Sequence, residues 1–250
     1  MQILRPLCGL WLIVMTGLVN ARDISPVDRL TYEVQEGDRE PGITRVWVSS
    51  QMMREDEGED GDGYLLFDRR DKVIYSINLE ERTVLVIPPA EPSNTQTRPP
   101  DLNLRQLPGE SAPRVAGREP QHWQLRLGDQ VCEDGWVVPG LMPESIAAMR
   151  EYRETLARQQ RLTLDRIPQA YRDPCDDAVQ VYAPTALLQK GLPLHSRDAQ
   201  GMVWRLIDFT RVETPPEALF ERPEGFEVMT MPGQVMPEPA PEIPDVHLVR

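Results

Sequence analysis

Histidine is scarce in this chain. His122, His195 and His247 are the only three in 250 residues. No G-x-S-x-G, H-E-x-x-H or P-loop sequence occurs, and no paired cysteines stand at metal-ligand spacing. The nucleophile elbow, the zinc-protease helix and the phosphate cradle are thereby excluded. One local grouping, His195–Ser196–Arg197–Asp198, brings triad residue types together. Triads are assembled in space and not from sequence neighbours, and this segment reads as a surface turn after Gly191–Leu194. The expectation is a protein that is not an enzyme and holds neither metal nor cofactor.

Cysteine is also scarce, and long apolar runs are confined to the start. The opening residues, MQILRPLCGLWLIVMTGLVNARD, carry Arg5, an apolar run from Leu7 to Leu18, then Val19 and Ala21 in the minus-three and minus-one places. That pattern predicts a secretory signal over residues 1–21, cleaved after Ala21. The run is shorter than the roughly 20 apolar residues a spanning helix needs. Cys8 precedes most of the run, where a lipidated cysteine would follow it. No later stretch could span a bilayer, so a soluble exported protein is expected. Its two remaining cysteines, Cys132 and Cys175, then read as a disulfide. No Asn-x-Ser/Thr sequon occurs, which favours a bacterial periplasm over a eukaryotic secretory route. The formal charge of −13 repels nucleic acid and anionic lipid surfaces, so neither is an expected partner.

From Leu30 to Ile87 the hydrophobic period is two. LTYEV, ITRVWVSS, YLLFDRR, KVIYSIN and TVLVI are short, apolar in alternation and separated by turn residues. Without room for crossovers they form an antiparallel meander of five or six strands. The acidic stretch REDEGEDGDG (54–63) resembles a calcium loop only in composition. After Asp60 and Asp62 the next ligand place is Tyr64, so it reads as a solvated hairpin loop. Residues 88–121 are proline-rich and read as an insert. HWQLRL and QVCEDGWVV return as strands around Gly128–Asp129. A helix is predicted from Pro143 to about Arg161, with Ile146, Met149, Tyr152 or the Arg153 stem, and Leu156 as its apolar stripe. A second helical segment follows Asp173–Pro174–Cys175, capped by Asp176 or Asp177 and interrupted at Pro184. MVWRLIDFTRVE is another strand, ALFERPEGFE a last extended piece, and 232–250 a disordered tail. Residues 22–231 make one domain. Two helices cannot cover so long a sheet, which predicts an α+β fold: a curved antiparallel sheet whose concave face is partly covered by helices.

Strand pattern and ending together resemble a known family. GYLLFDRRDKVIYSINLEERTVLVI and LFERPEGFE are similar to segments of the periplasmic lipoprotein carriers LolA and LolB, over residues 29–87 and 192–228. The resemblance implies an unclosed half-barrel whose apolar concave face is plugged by helices. It also implies a carrier for a hydrophobic group such as an acyl chain, with a structural or protein-interaction domain of the envelope as the alternative. The apolar face expected to meet a ligand comprises Trp47, Phe67, Val73, Tyr75, Ile77, Val84, Val86 and Trp204. Val73, Tyr75 and Ile77 share one side of a strand, Val84 and Val86 lie beside them, and the Pro143–Arg161 helix is expected to roof them.

Overall fold

A computed structural model describes residues 25–58, 61–90, 100–109, 111–164 and 166–230. The expected leader (1–21) and tail (232–250) lie outside the described residues, as do Glu59 and Asp60 of the acidic loop and residues 91–99 of the insert.

The predicted meander is present as β1 (Val27–Glu36), β2 (Gly42–Val48), β3 (Met52–Asp56), β4 (Gly63–Asp68), β5 (Val73–Asn78) and β6 (Thr83–Ile87). Each pairs antiparallel with the next. The acidic stretch joins β3 to β4. At its end Gly63 sits so close to β5 that an added Cβ would lie 2.2 Å from the Ile77 carbonyl oxygen. The hairpin therefore needs glycine there for space.

Inside the proline-rich stretch lies an edge strand, β7 (Leu102–Leu107), paired with β8 (Gln121–Leu127). Its alternating Leu102 and Leu104 carry a short signal that the flanking prolines mask. Beyond it come β9 (Gln130–Val138), α1 (Pro143–Leu164), α2 (Pro174–Asp177) and a π-helical segment over Ala178–Tyr182. Then follow β10 (Leu192–Asp198), β11 (Met202–Val212) and β12 (Glu227–Thr230). The helix cap is Asp173, whose carboxylate accepts from the Cys175 and Asp176 amides at 2.8 and 3.0 Å. It takes the place expected of Asp176 or Asp177, because Pro174 starts the first turn at least three residues earlier. His195–Asp198 is strand and not turn.

All twelve strands form one sheet, ordered β12-β6-β5-β4-β3-β2-β1-β11-β10-β9-β8-β7. The end strands β12 and β7 are not joined, so the sheet is unclosed, as expected of a half-barrel. Among the described strands only β12 is parallel to its neighbour. The sheet must also curve. Tyr152 of α1 meets the Phe67 ring of β4 at 5.8 Å, while the next residue, Arg153, lines a cavity with Glu133 of β9. Six strand steps separate β4 from β9, about 29 Å on a flat sheet. Adjacent residues of one helix reach both only if the sheet bends around it.

The main core lies on this inner face. Leu30, Tyr32, Val46, Val48, Met53, Phe67 and Ile74 pack against Ala148 and Met149 of α1. Arg69, in the turn between β4 and β5, fastens the helix. It donates to both oxygens of Glu151 at 3.1 Å, to Glu144, and to the Ser49 carbonyl at 2.8 Å. Lys72 adds a 2.9 Å bond to Glu151. The disulfide Cys132–Cys175 ties β9 to α2. A bulge in β9 makes that possible. Leu125 pairs with Glu133 and Arg126 with Val131, so Cys132 has no partner in the ladder. The extra residue lets Cys132 and Glu133, though consecutive, both turn to the helix side. Cys132 packs there against Leu102, Leu127 and Ala178.

Candidate functional site

The eight residues expected to make one ligand face are divided between two. Phe67 and Trp204 are on the inner side, packed with the α1 core. Val73, Tyr75, Ile77, Val84 and Val86 do share a face, as expected, but it is the outer one. Their cover is not α1. It is the stretch before β12, whose Phe220 and Phe226 pack on them. Trp47 is also outer, beneath Leu219, with the guanidinium groups of Arg29 and Arg45 at 5.6 and 5.8 Å from its ring.

Polar bonds hold this strap in place. The Arg54 guanidinium donates to the Leu219 carbonyl at 3.0 Å, and the Tyr64 hydroxyl donates to the Glu221 carbonyl at 3.2 Å. Arg222 stands over Tyr75, and Arg82 over Phe226. The expected helix roof is thus corrected by one step of strand parity. Both faces of β5 are apolar, and the helix takes the side of Ile74 while the strap takes the side with three apolar residues. Val84→Phe should therefore overpack the strap and cost about 1–3 kcal/mol. Binding in the inner cavity should be unchanged; a urea melt and a dye titration on the same variant measure both.

The inner face has a cavity where the α1 packing gives out. It holds about 280 Å³. One wall is Tyr152, Arg153, Leu156 and Gln160 of α1. A second is Val179, Gln180 and Pro184, and the floor is Glu55, Glu133, Ser196, Asp198, Met202 and Trp204. A smaller space of about 40 Å³ adjoins it, shares Glu55, Glu133, Tyr152, Arg153 and Trp204, and reaches Tyr32 and Met149. Of the eight expected ligand residues, only Trp204 lines these cavities. Its ring meets that of Tyr32 edge-on at 5.7 Å.

Strand parity explains the floor. Val46 pairs with Glu55, and Ser196 with Trp204, so the alternation that buries Leu30 and Val46 also sends Glu55, Ser196 and Trp204 inward. Glu133 pairs with Asp198 and stands two residues from Gly135, which pairs with Ser196, so the same alternation sends it inward. Glu133 is only 7% exposed, and Glu55 is half-buried. Among the described residues neither carboxyl has a hydrogen bond or an ion pair. Arg153 is the nearby cation, and its guanidinium donates to the Pro184 carbonyl at 3.5 Å. Burial pushes both carboxyls above the ordinary carboxylate range, partly opposed by the charge of Arg153. Asp198 pushes Glu133 further up, and Asp56 and Glu57 do so for Glu55. Burial likewise raises the phenols of Tyr32 and Tyr152. The cavity is thus a half-apolar space with unpaired carboxyls at one end. The signal in the sequence was a charged residue at inward parity in MMRED and in QVCEDGWVV. His195 and Ser196 are adjacent in β10 and point to opposite faces, so only the serine reaches the cavity.

No protein-family model matches this chain, and no curated protein matches it. Several solved structures align with this chain at low identity. An uncharacterised conserved protein from Thermus thermophilus is 11% identical with a TM-score of 0.42, over 83% of this chain and 91% of that one. PNGF-II is 8% identical with a TM-score of 0.39, also over 83% of this chain, which spans 31% of PNGF-II. MucB is 11% identical with a TM-score of 0.38, over 83% of this chain and 61% of MucB.

Proposed function

We propose that this chain is a non-enzymatic binding module of the cell envelope, carrying a hydrophobic or amphipathic group beneath α1. The cavity of about 280 Å³ between an open sheet and its one long helix carries the reading. Burial of apolar ligand surface against Leu156, Val179, Met202 and Trp204 would supply about 25 cal/mol per Å². Release would follow movement of the helical wall. The arrangement agrees with what the resemblance to LolA and LolB implies, an unclosed sheet with helices on its inner face. The Cys132–Cys175 bridge favours an oxidising compartment such as a bacterial periplasm. No helix among the described residues is long and apolar enough to cross a membrane.

A structural or protein-interaction domain is the second reading. The strapped outer face favours it, because six of the eight expected ligand residues serve there as packing beneath Leu219, Phe220 and Phe226. Titration of the full chain with the uncharged dye N-phenyl-1-naphthylamine separates the two. Saturable binding that Leu156→Trp abolishes and Val84→Phe spares is the expected result. No saturable binding to the folded wild type would decide for the structural domain.

A further inference from the structure

Two carboxylates elsewhere in this fold, those of Asp56 and Glu151, are given cations. Asp56, 3% exposed, lies next in sequence to Glu55 but on the outer face. It accepts from Arg45 at 2.7 Å and from Arg54 at 2.8 Å. Glu151 has Arg69 and Lys72. In the cavity the balance is reversed. Glu55, Glu133 and Asp198 line it against a single guanidinium, that of Arg153. Asp198 is occupied by the Gln200 and Met202 amides, at 3.0 and 2.8 Å. Glu133, more than nine-tenths buried, and Glu55 accept from nothing among the described residues. Gln160, in the same wall, leaves its Oε1 buried without a donor. A buried carboxylate without donors is costly to the empty protein, and burial lifts the pKa of both.

We infer that the polar end of the cavity is a seat for a cationic ligand group, a primary ammonium on an amphipathic molecule, held by Glu133 and Glu55. The inference rests on the binding reading above and names the chemistry of its ligand. An ammonium supplies three N–H donors and a positive charge, and donors and positive charge are what this end of the cavity lacks. The rings of Trp204 and Tyr152 border the same space and favour a cation over their faces. Leu156, Val179 and Met202 receive the apolar remainder. Arg153 keeps the two carboxyls from being wholly uncompensated when the seat is empty. An anionic head would face three acidic side chains, Glu55, Glu133 and Asp198, and a single guanidinium.

Displacement of bound N-phenyl-1-naphthylamine from the full chain tests this, with dodecylamine and dodecanoate compared below their micelle concentrations. Dodecylamine should displace the dye at about tenfold lower concentration than dodecanoate. Glu133→Gln should remove that preference, read as the ratio of the two displacing concentrations within each variant. Equal or better displacement by dodecanoate, or a preference that survives in Glu133→Gln, would overturn the cationic seat and leave the binding reading standing. A wild type that takes up no dye would overturn both.

Discussion

Replacing Cys132 and Cys175 together by alanine should lower the unfolding free energy by about 4 kcal/mol. The bridge closes a loop with a sequence separation of 43. Its removal returns that loop's freedom to the unfolded chain, which is the source of the expected loss. Both cysteines are fully buried, so truncation also opens a void beside Leu102, Leu127 and Ala178. The effect should reach the cavity before it reaches the sheet. Val179 and Gln180, which wall the cavity, follow α2 directly, and α2 is held to β9 by this bond. Dye affinity should thus fall at temperatures where the sheet's circular dichroism is still native. Urea melts of the double variant and wild type give the free energy. A loss below about 1 kcal/mol would show that packing of α2, and not the crosslink, holds this wall.

Arg153→Met should cost about 1–3 kcal/mol at pH 7, because it removes the cation whose charge offsets two buried carboxyls. Its methionine keeps much of the apolar stem, so the loss is chiefly electrostatic. The pH dependence follows from the sign of the shifts. Glu55 and Glu133 have folded pKa values raised by burial, so the native state takes up a proton more readily than the unfolded chain. Their contribution is fully present below the unfolded value of about 4.3 and is lost as pH rises through the folded values. Arg153 lowers both, and its removal moves that loss to cover more of the range up to neutrality. The variant's deficit should therefore be smaller at pH 5 than at pH 7. Glu151 acts in the opposite sense. Burial raises it, but hydrogen bonds and charge from Arg69 and Lys72 bring it below the ordinary value, so its contribution is lost only at lower pH. A deficit that is equal at the two pH values would contradict the role given to the guanidinium.

The alternation of LTYEV through TVLVI was enough to read the meander, because each strand is bounded by turn residues and no crossover fits between them. Which side of the sheet α1 would choose was not legible. In VIYSI the three residues of one parity are more apolar than Ile74 and Ser76 of the other, and the helix packs on the weaker-looking side. The strap of Leu219, Phe220 and Phe226 reverses the expectation, and its contact with β5 and β6 is made across more than a hundred residues of chain. The cavity carboxyls were hidden for a different reason. Glu55 stands amid acidic loop residues that read as solvated, and only its parity with Met53 marks it as inward. Glu133 has the inward parity of Gly135, but the bulge that also turns Cys132 inward breaks the two-residue period beside it and hides that parity in the sequence.

The central position of β1 governs how the sheet can be assembled. Its neighbours are β2, a few residues away, and β11, which places Asp208 beside Arg29 across a separation of 179 residues. Closing so long a segment must precede any reward from the pairing, which makes the β1–β11 zipper a slow, entropy-limited event. Until it happens, one side of β1 is an open strand edge bearing Leu30, Tyr32 and Val34, able to recruit a strand from another chain. Yield on refolding should accordingly fall with protein concentration far more steeply than the stability of the finished molecule would suggest.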